Sequence, residues 1–477
     1  MKYCSTCGEV QGWTFEQALF STGFVRDGGL LMPETTPQIT QNTLQQWRNL
    51  SFVELAKEII PLFISEDEIP RKDLNGLLDK AFSKFSCSEV VKVAKLKNEL
   101  KIAELWHGKT LAFKDLAMFC TGQFLEYFLN KRKKHVTIVV ATSGDTGSSA
   151  IESIRGLKWV DIIVLLPKGR ITKIQELMMT TVLDDNVHVM AGENTTSDGL
   201  DDVTAVLYNN ETFKEAHNLC TLNSINWARV MVQMVHYFYA YLHITDSCDQ
   251  IAEIIVPTGA AGNISAGCLA SFMGLPIRIV STVNSNDIMF RTLQNGDYSM
   301  SNDVIPTWAP AMDIQVPYNL QRMIWLFSNK DTQLVSKLMK QFQKEGKFMI
   351  SQDLLQKMNS VITSYTVNDP GILATMKKCW HDNQYLLCPH TAVAVTYFYD
   401  KRVTSDESMP SVCLATASPA KFPEAVLEAG LTPQPTPEVE ALESMPTKYL
   451  LLKDGEDWVK IIKERIEQIT AGRANLV

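Results

Sequence analysis

The sequence predicts an α/β protein built on parallel sheets, with a separate leading unit and a short tail. Two observations carry this. From about residue 100 onward, short apolar runs rich in β-branched residues alternate with amphipathic stretches of helical length, which is the rhythm of βαβ units. Four of those runs pass directly into turns made of Gly, Ser, Thr, Pro or Asn. In an open parallel sheet such carboxyl-terminal strand ends face the ligand crevice.

The elements follow in chain order. Residues 1–98 read as a small leading unit. Its stretch from Gly23 to Pro33 is turn-rich, and Arg26-Asp27-Gly28-Gly29 predicts a tight turn with positive φ. Helical patterns run from Ser51 to Ser86. Residues 99–430 read as the catalytic region, with a smaller subdomain at roughly 136–240. Its strands are expected at Val136–Ala141, Asp161–Leu166, Val187–Met190, Ile251–Val256, Ile277–Val283 and Val412–Ala415. The basic run Lys131-Arg132-Lys133-Lys134 reads as a helix end, where cations favour the dipole. The tail, 431–477, opens on a proline-rich connector beginning at Leu431. It closes on a helix from Trp458 to Ile469 that carries Trp458, Ile461, Ile462 and Ile466 on one face.

Composition narrows the function. With 477 residues the chain is long enough for two or three cored domains, and 45% hydrophobic with 21% charged residues is ordinary for a globular protein. A net charge of −8 argues against a nucleic-acid partner. The opening MKYCSTCGEVQGW has no apolar segment of the secretory kind, and no apolar run approaches a membrane span. A cytoplasmic protein without a membrane partner is expected, and any export would need a route that uses no signal peptide. The ten cysteines are scattered apart from Cys4-x-x-Cys7. A lone CxxC is a weak metal signal, so no metal site is expected, and the rest read as buried thiols of a cytosolic protein.

Six stretches carry chemistry. Lys114 lies in an apolar run between Trp106, Phe113 and Phe119. It reads either as a surface lysine at a helix start or as a desolvated amine able to form a Schiff base. Thr142-Ser143-Gly144-Asp145-Thr146-Gly147-Ser148-Ser149 follows a strand and opens a helix. It suits a carboxylate or phosphate, or is a plain helix cap. Thr258-Gly259-Ala260-Ala261-Gly262-Asn263 repeats the logic with small residues that leave backbone N–H groups bare, a phosphate cradle or a tight turn. It matches neither a Walker A nor a Rossmann fingerprint. Asn223–Arg229 and Thr416–Phe422 are polar where a core would be apolar, and each alone reads as a capped helix start. Lys168 and Arg170 offer two cations after a strand, alone a solvated turn. Together, a poised lysine and a phosphate cradle in an α/β fold point to pyridoxal phosphate. A second anion site with Arg and Lys points to a substrate that itself carries a phosphate.

The motifs HGKTLAFKD, ATSGDTGSSA, LPKGRITKIQE, NSINWARV, VPTGAAGNISAG, PAMDIQVPYNL, PHTAVA and ATASPAKFPEAV occur in that order. On these the chain resembles the threonine synthase family, within the fold-type II pyridoxal-phosphate enzymes, and in particular its animal threonine synthase-like branch. The resemblance implies a tryptophan synthase β-like fold, with two open parallel-sheet α/β domains plus a small N-terminal domain. It implies that Lys114 carries the cofactor, that Gly259, Ala260, Ala261, Gly262 and Asn263 hold its phosphate, and that Thr416 meets its pyridine nitrogen. It implies that Ser143, Gly144, Asp145 and Thr146 contact the substrate carboxylate. Ser224, Asn226 and Arg229, with Lys168 and Arg170 as further candidates, would lie near the substrate phosphate.

The sequence departs from the family pattern at four places. Lys109 replaces a Pro, Ala260-Ala261 an Asn-Phe pair, Ser418 a His and Cys388 an Asp. Such losses bear on the handling of water. The expected activity is therefore a phospho-lyase that takes O-phosphohomoserine and O-phosphothreonine to 2-oxobutyrate, ammonia and phosphate, in a monomer or homodimer. The alternatives are a true threonine synthase and a catalytically silent binding or signalling protein.

Overall fold

The computed structural model describes residues 1–301, 303–402 and 409–473. Among them, six strands form the larger sheet, in the spatial order Ile362–Thr366, Ile277–Val283, Ala252–Pro257, Ser411–Ala415, Lys101–Glu104 and Lys92–Lys95. All pair in parallel except the edge strand Lys92–Lys95. The smaller sheet runs Leu450–Leu452, Val187–Gly192, Val160–Pro167, Val136–Ala141 and Leu219–Cys220, parallel throughout.

Sequence and burial agree on why these strands form. Val136–Ala141, Val160–Pro167 and Ala252–Pro257 are buried at every position. Continuous apolar runs are what a parallel sheet covered on both faces requires. Each expected strand is present; Val136–Ala141 and Ile277–Val283 keep both ends, and the other four shift by one or two residues at one end or both. Ile362–Thr366, Lys101–Glu104 and Leu219–Cys220 carry weaker apolar patterns and join their sheets through long-range pairing.

Two helices tie the sheets together. Lys114–Arg132 leads from the larger sheet to Val136–Ala141, and Trp227–Ile244 leads back toward Ala252–Pro257. They pack on each other. Trp227–Ile244 is buried at every position but His243, as an all-round apolar helix must be. The helix Lys114–Arg132 ends as its basic residues predict, with Lys131 and Arg132 in the last turn and Lys133 in the left-handed conformation.

The leading segment packs on these two helices. Tyr3 packs on Trp227, Phe15 on Phe124 and Phe52 on Tyr239, with ring centroids 5.6, 5.5 and 5.4 Å apart. Ser51 and Glu54 form a reciprocal cap on the helix Phe52–Ile59, a device that contributes about 1 kcal/mol. Gly28 takes φ +75° in the expected turn. At the other end, Leu450–Leu452 adds a strand beside Val187–Gly192. The helix Trp458–Arg473 then covers the smaller sheet with Ile462, Ile466 and Ile469. It runs past Ile469 because Arg473 pairs with Asp161, whose carboxylate also takes hydrogen bonds from His135 and His188. No helix among the described residues is long and apolar enough to cross a membrane.

Candidate active site

The carboxyl ends of the two sheets face one cavity, lined by Lys114, Ser143, Asp145, Gly259–Asn263, Arg229 and Thr416. The chain reaches Lys114 from Lys101–Glu104 through a loop that Asp115 organises. Its carboxylate accepts from Thr110 N at 2.7 Å, Thr110 Oγ1 at 2.6 Å and Ser149 Oγ at 2.6 Å. A side chain at Gly108 would collide with that carboxylate. Phe113 N donates to Thr416 O at 2.8 Å, which fastens the loop to the end of Ser411–Ala415.

Lys114 is the first residue of its helix, and its side chain is 13% exposed. Burial pulls its ammonium from 10.5 down to about 8; Asp145 pulls the other way, and the Arg229 and Lys421 cations add to the lowering. Its Nζ lies 3.8 Å from Asp145 Oδ2 and 5.4 Å from the Phe113 ring centre. A buried lysine in this state is a usable nucleophile and base.

On the facing wall, Ala252–Pro257 turns through residues 258–261 into the helix Gly262–Phe272. Ala261 takes φ 60° and no side chain caps the helix, so its first N–H groups face the cavity. Asn263 Oδ1 sits 2.9 Å from His236 Nε2, while its buried Nδ2 has no partner among the described residues. Arg229 is fully buried, donates through Nη1 to Leu222 O at 3.1 Å, and leaves Nε without a partner among them. Uncapped amides, the unpaired Asn263 amide and a depressed lysine around one cavity fit pyridoxal phosphate, whose phosphate needs the donors and whose aldehyde needs the lysine.

The loop after Val136–Ala141 completes the cavity. Thr142 Oγ1 accepts from Gly144 N at 3.0 Å and Gly147 N at 2.9 Å. Gly144 adopts φ +124°, and the Gln175 amide fills the space a side chain there would need. Gln175 Nε2 in turn donates to Asp145 Oδ1 at 2.9 Å. Burial pushes the Asp145 carboxyl up, but Lys421 and Lys114 outweigh it and hold the group well below the usual carboxylate range.

The remaining expected residues lie in different settings. Ser224 lines the cavity and accepts from Asn319 Nδ2 at 3.0 Å. Asn226 spends its side chain on backbone: it caps the helix Trp227–Ile244 through Ala228 N and donates to Leu19 O and Thr221 O. Lys168 is held by Tyr449 and Glu176 outside the cavity. Arg170 lines a neighbouring cleft that meets the site at Ser143. Of the departures from the family pattern, Ala260 and Ala261 line the cavity. Lys109 is exposed, Ser418 caps the turn Pro419–Lys421, and Cys388 Sγ accepts from Thr391 N at 3.3 Å at a helix start.

Sequence reasoning missed Lys421, Gln175 and His390. Lys421 is fully buried with Nζ 2.7 Å from Asp145 Oδ1. His390 lines the cavity, and its Nε2 accepts from Ala311 N at 3.1 Å. The available signal for Lys421 was the one that marked Lys114, a lone lysine among apolar neighbours.

A buried lysine at a helix start, facing an uncapped helix N-terminus between two parallel sheets, is the arrangement of a fold-type II pyridoxal-phosphate enzyme. Family models agree: "Pyridoxal-phosphate dependent enzyme" matches residues 90–416, "Threonine synthase N terminus" 2–82 and "Threonine synthase, C-terminal" 391–464. The chain is 52% identical to human Threonine synthase-like 2 over 474 residues, 98% of each chain. It is 36% identical to Threonine synthase of Saccharomyces cerevisiae over 497 residues, 95% of each. The solved pyridoxal-phosphate-bound threonine synthase of Brucella melitensis superposes with a TM-score of 0.90 at 36% identity, covering 98% of this chain and 99% of that one. The chain belongs to the threonine synthase family, and pyridoxal 5'-phosphate is its cofactor.

Proposed function

We propose that the protein is a phospho-lyase that removes phosphate from O-phosphohomoserine and O-phosphothreonine. With one water consumed, each would yield 2-oxobutyrate, ammonia and phosphate. The bound cofactor supplies an electron sink for charge developing at the carbon beside the substrate amino group. Lys114 is the base that takes the proton from that carbon, a role its depressed pKa allows near neutral pH. Gly259–Asn263 hold the cofactor phosphate and Thr416 meets the ring nitrogen. Ser143–Thr146 hold the substrate carboxylate. Ser224 and Arg229 serve the substrate phosphate. Arg170 borders the neighbouring cleft and would meet the phosphate on its way in or out.

The observation that carries the lyase reading over the synthase is the wall at Ala260-Ala261. Both residues line the cavity, and their side chains are methyl groups where the family pattern has Asn and Phe. Adding water at the β-carbon needs a held water, and a methyl group holds none. Without that addition the unsaturated product leaves and hydrolyses to the oxo acid. The synthase reading is supported by models named for threonine synthase at both ends of the chain and by the likeness to the yeast and Brucella melitensis threonine synthases. The deciding experiment incubates the holoenzyme with each phosphoamino acid and assays threonine, 2-oxobutyrate and phosphate together. Equal release of 2-oxobutyrate and phosphate is expected, and threonine as the main product overturns the proposal.

A further inference from the structure

Two ammonium groups converge on one buried carboxylate. Lys421, at the end of the larger sheet, sends Nζ to Asp145 Oδ1 at 2.7 Å and to Thr110 O at 2.8 Å. Asp145 belongs to the helix that follows a strand of the smaller sheet, so the pair bridges the two lobes. Gln175 Nε2 takes the same oxygen at 2.9 Å. Oδ2 is left turned toward Lys114 at 3.8 Å, beyond hydrogen-bond reach. The backbone of Lys421 is tied down as well, since its carbonyl accepts from Thr172 Oγ1 at 3.0 Å. Thr172 and Gln175 cap each other at the start of the helix Lys173–Thr180.

A fully buried ammonium is a poor way to stabilise a fold. Its desolvation offsets most of what the ion pair contributes, and an apolar residue of similar size is commonly as good. What this arrangement does supply is control of Asp145. Left alone, a buried carboxylate close to a lysine forms a tight pair with it and holds its proton. We infer that Lys421 is a positioning residue for Lys114: it engages Asp145 from the far side and so keeps the Lys114 amine free to bind the cofactor. Lys421 does not line the cavity, and it acts through Asp145.

The other groups facing this pair come from separate elements. Arg229 of Trp227–Ile244 faces Lys114; His390 of Pro389–Arg402 and Gln175 of Lys173–Thr180 face Asp145; and Asp115 feels the Lys421 charge. These remain when Lys421 is replaced. Losing Lys421 removes a nearby cation and releases Asp145 toward Lys114, and both changes favour the protonated amine.

The test is the pH dependence of cofactor capture. Full-length protein is stripped of cofactor, mixed with pyridoxal 5'-phosphate, and the rise of its visible Schiff-base band is followed across pH. K421M is expected to move the midpoint upward by about one unit, a tenfold loss of free amine at a given pH. K421R keeps the charge and holds the wild-type midpoint. D145N/K421M removes both charges and brings the midpoint back. If K421M fails to fold, K421Q keeps a donor for Thr110 O and reports the same charge change. A wild-type midpoint in the neutral variant, or an equal shift in D145N/K421M, overturns the inference. A merely structural lysine would give one of those results.

Discussion

Ser149 Oγ donates to the carboxylate of Asp115 across 2.6 Å, and so ties the helix Asp145–Ile154 to the residue that follows Lys114. The same carboxylate takes both donors of Thr110. Replacing Asp115 by Ala leaves three buried donors without an acceptor. The expected cost is about 3 kcal/mol, larger than for an exposed hydrogen-bonded residue. D115N, which keeps one acceptor oxygen, should lose less. Urea denaturation of both holoenzyme variants checks this order, and equal losses would contradict it.

Gly144 stands where the backbone takes φ +124° and where the Gln175 amide fills the space beside it. G144A therefore strains the turn and displaces Gln175 from Asp145. A destabilisation of about 2 kcal/mol is expected from the backbone alone. Turnover should fall with it, since Asp145 loses one of its fixed partners. Thermal melts and phosphate release measured side by side separate the two effects.

Two buried histidines make stability depend on pH. Burial pushes His236 and His390 from 6.5 down to about 4. Between those values the unfolded chain binds protons that the folded chain does not. The histidine contribution is therefore full above about pH 6.5 and is lost as the pH drops, by roughly 1.4 kcal/mol per unit for each histidine, while the buried Asp198 and Asp313 carboxyls, raised to about 6 and about 7, work in the opposite sense. H390Q should remove about half of that slope. Urea midpoints at about pH 7, 6 and 5 for wild type and variant test it; parallel lines would refute the assignment.

Asp161 anchors the last helix. His135 and His188 reach it at 2.8 and 2.9 Å, and Arg473 binds it through Nε at 2.9 Å. Burial raises its carboxyl, but hydrogen bonds from the two histidines and Arg473 outweigh this and hold it well below the usual carboxylate range. That contribution is present above the unfolded carboxylate value and lost as the pH falls through the depressed one. D161A should cost about 3 kcal/mol because it strands buried donors. Limited proteolysis should then cut near the helix Trp458–Arg473 before the rest of the chain.

Much of the larger design was legible because it is local. Val136–Ala141 and Ile277–Val283 are continuous apolar runs, and the small residues after Val136–Ala141 and Ala252–Pro257 mark their strand ends without any tertiary information. Lys114 was ambiguous in its own stretch, and its neighbours at Ser143–Thr146 and Gly259–Asn263 are what set it in a cavity. Lys421 and Gln175 were not legible as site residues. Their partner, Asp145, is distant in sequence, and nothing local says which buried lysine meets which carboxylate. Asn226 shows the converse. The resemblance implies a place near the substrate phosphate, yet its amide caps a helix start, as its own stretch reads, and donates to two carbonyls. Cys388 is similar: the thiol takes up a helix start, so its departure from the family pattern says little about water in the cavity.

The smaller sheet takes its outer strand from Leu450–Leu452 and its cover from Trp458–Arg473. During synthesis its other strands leave the ribosome long before those residues are made. The Val187–Gly192 edge therefore waits, open to pairing with other nascent chains, until Leu450–Leu452 is made. Cells making this protein would feel that interval as a demand on their chaperones.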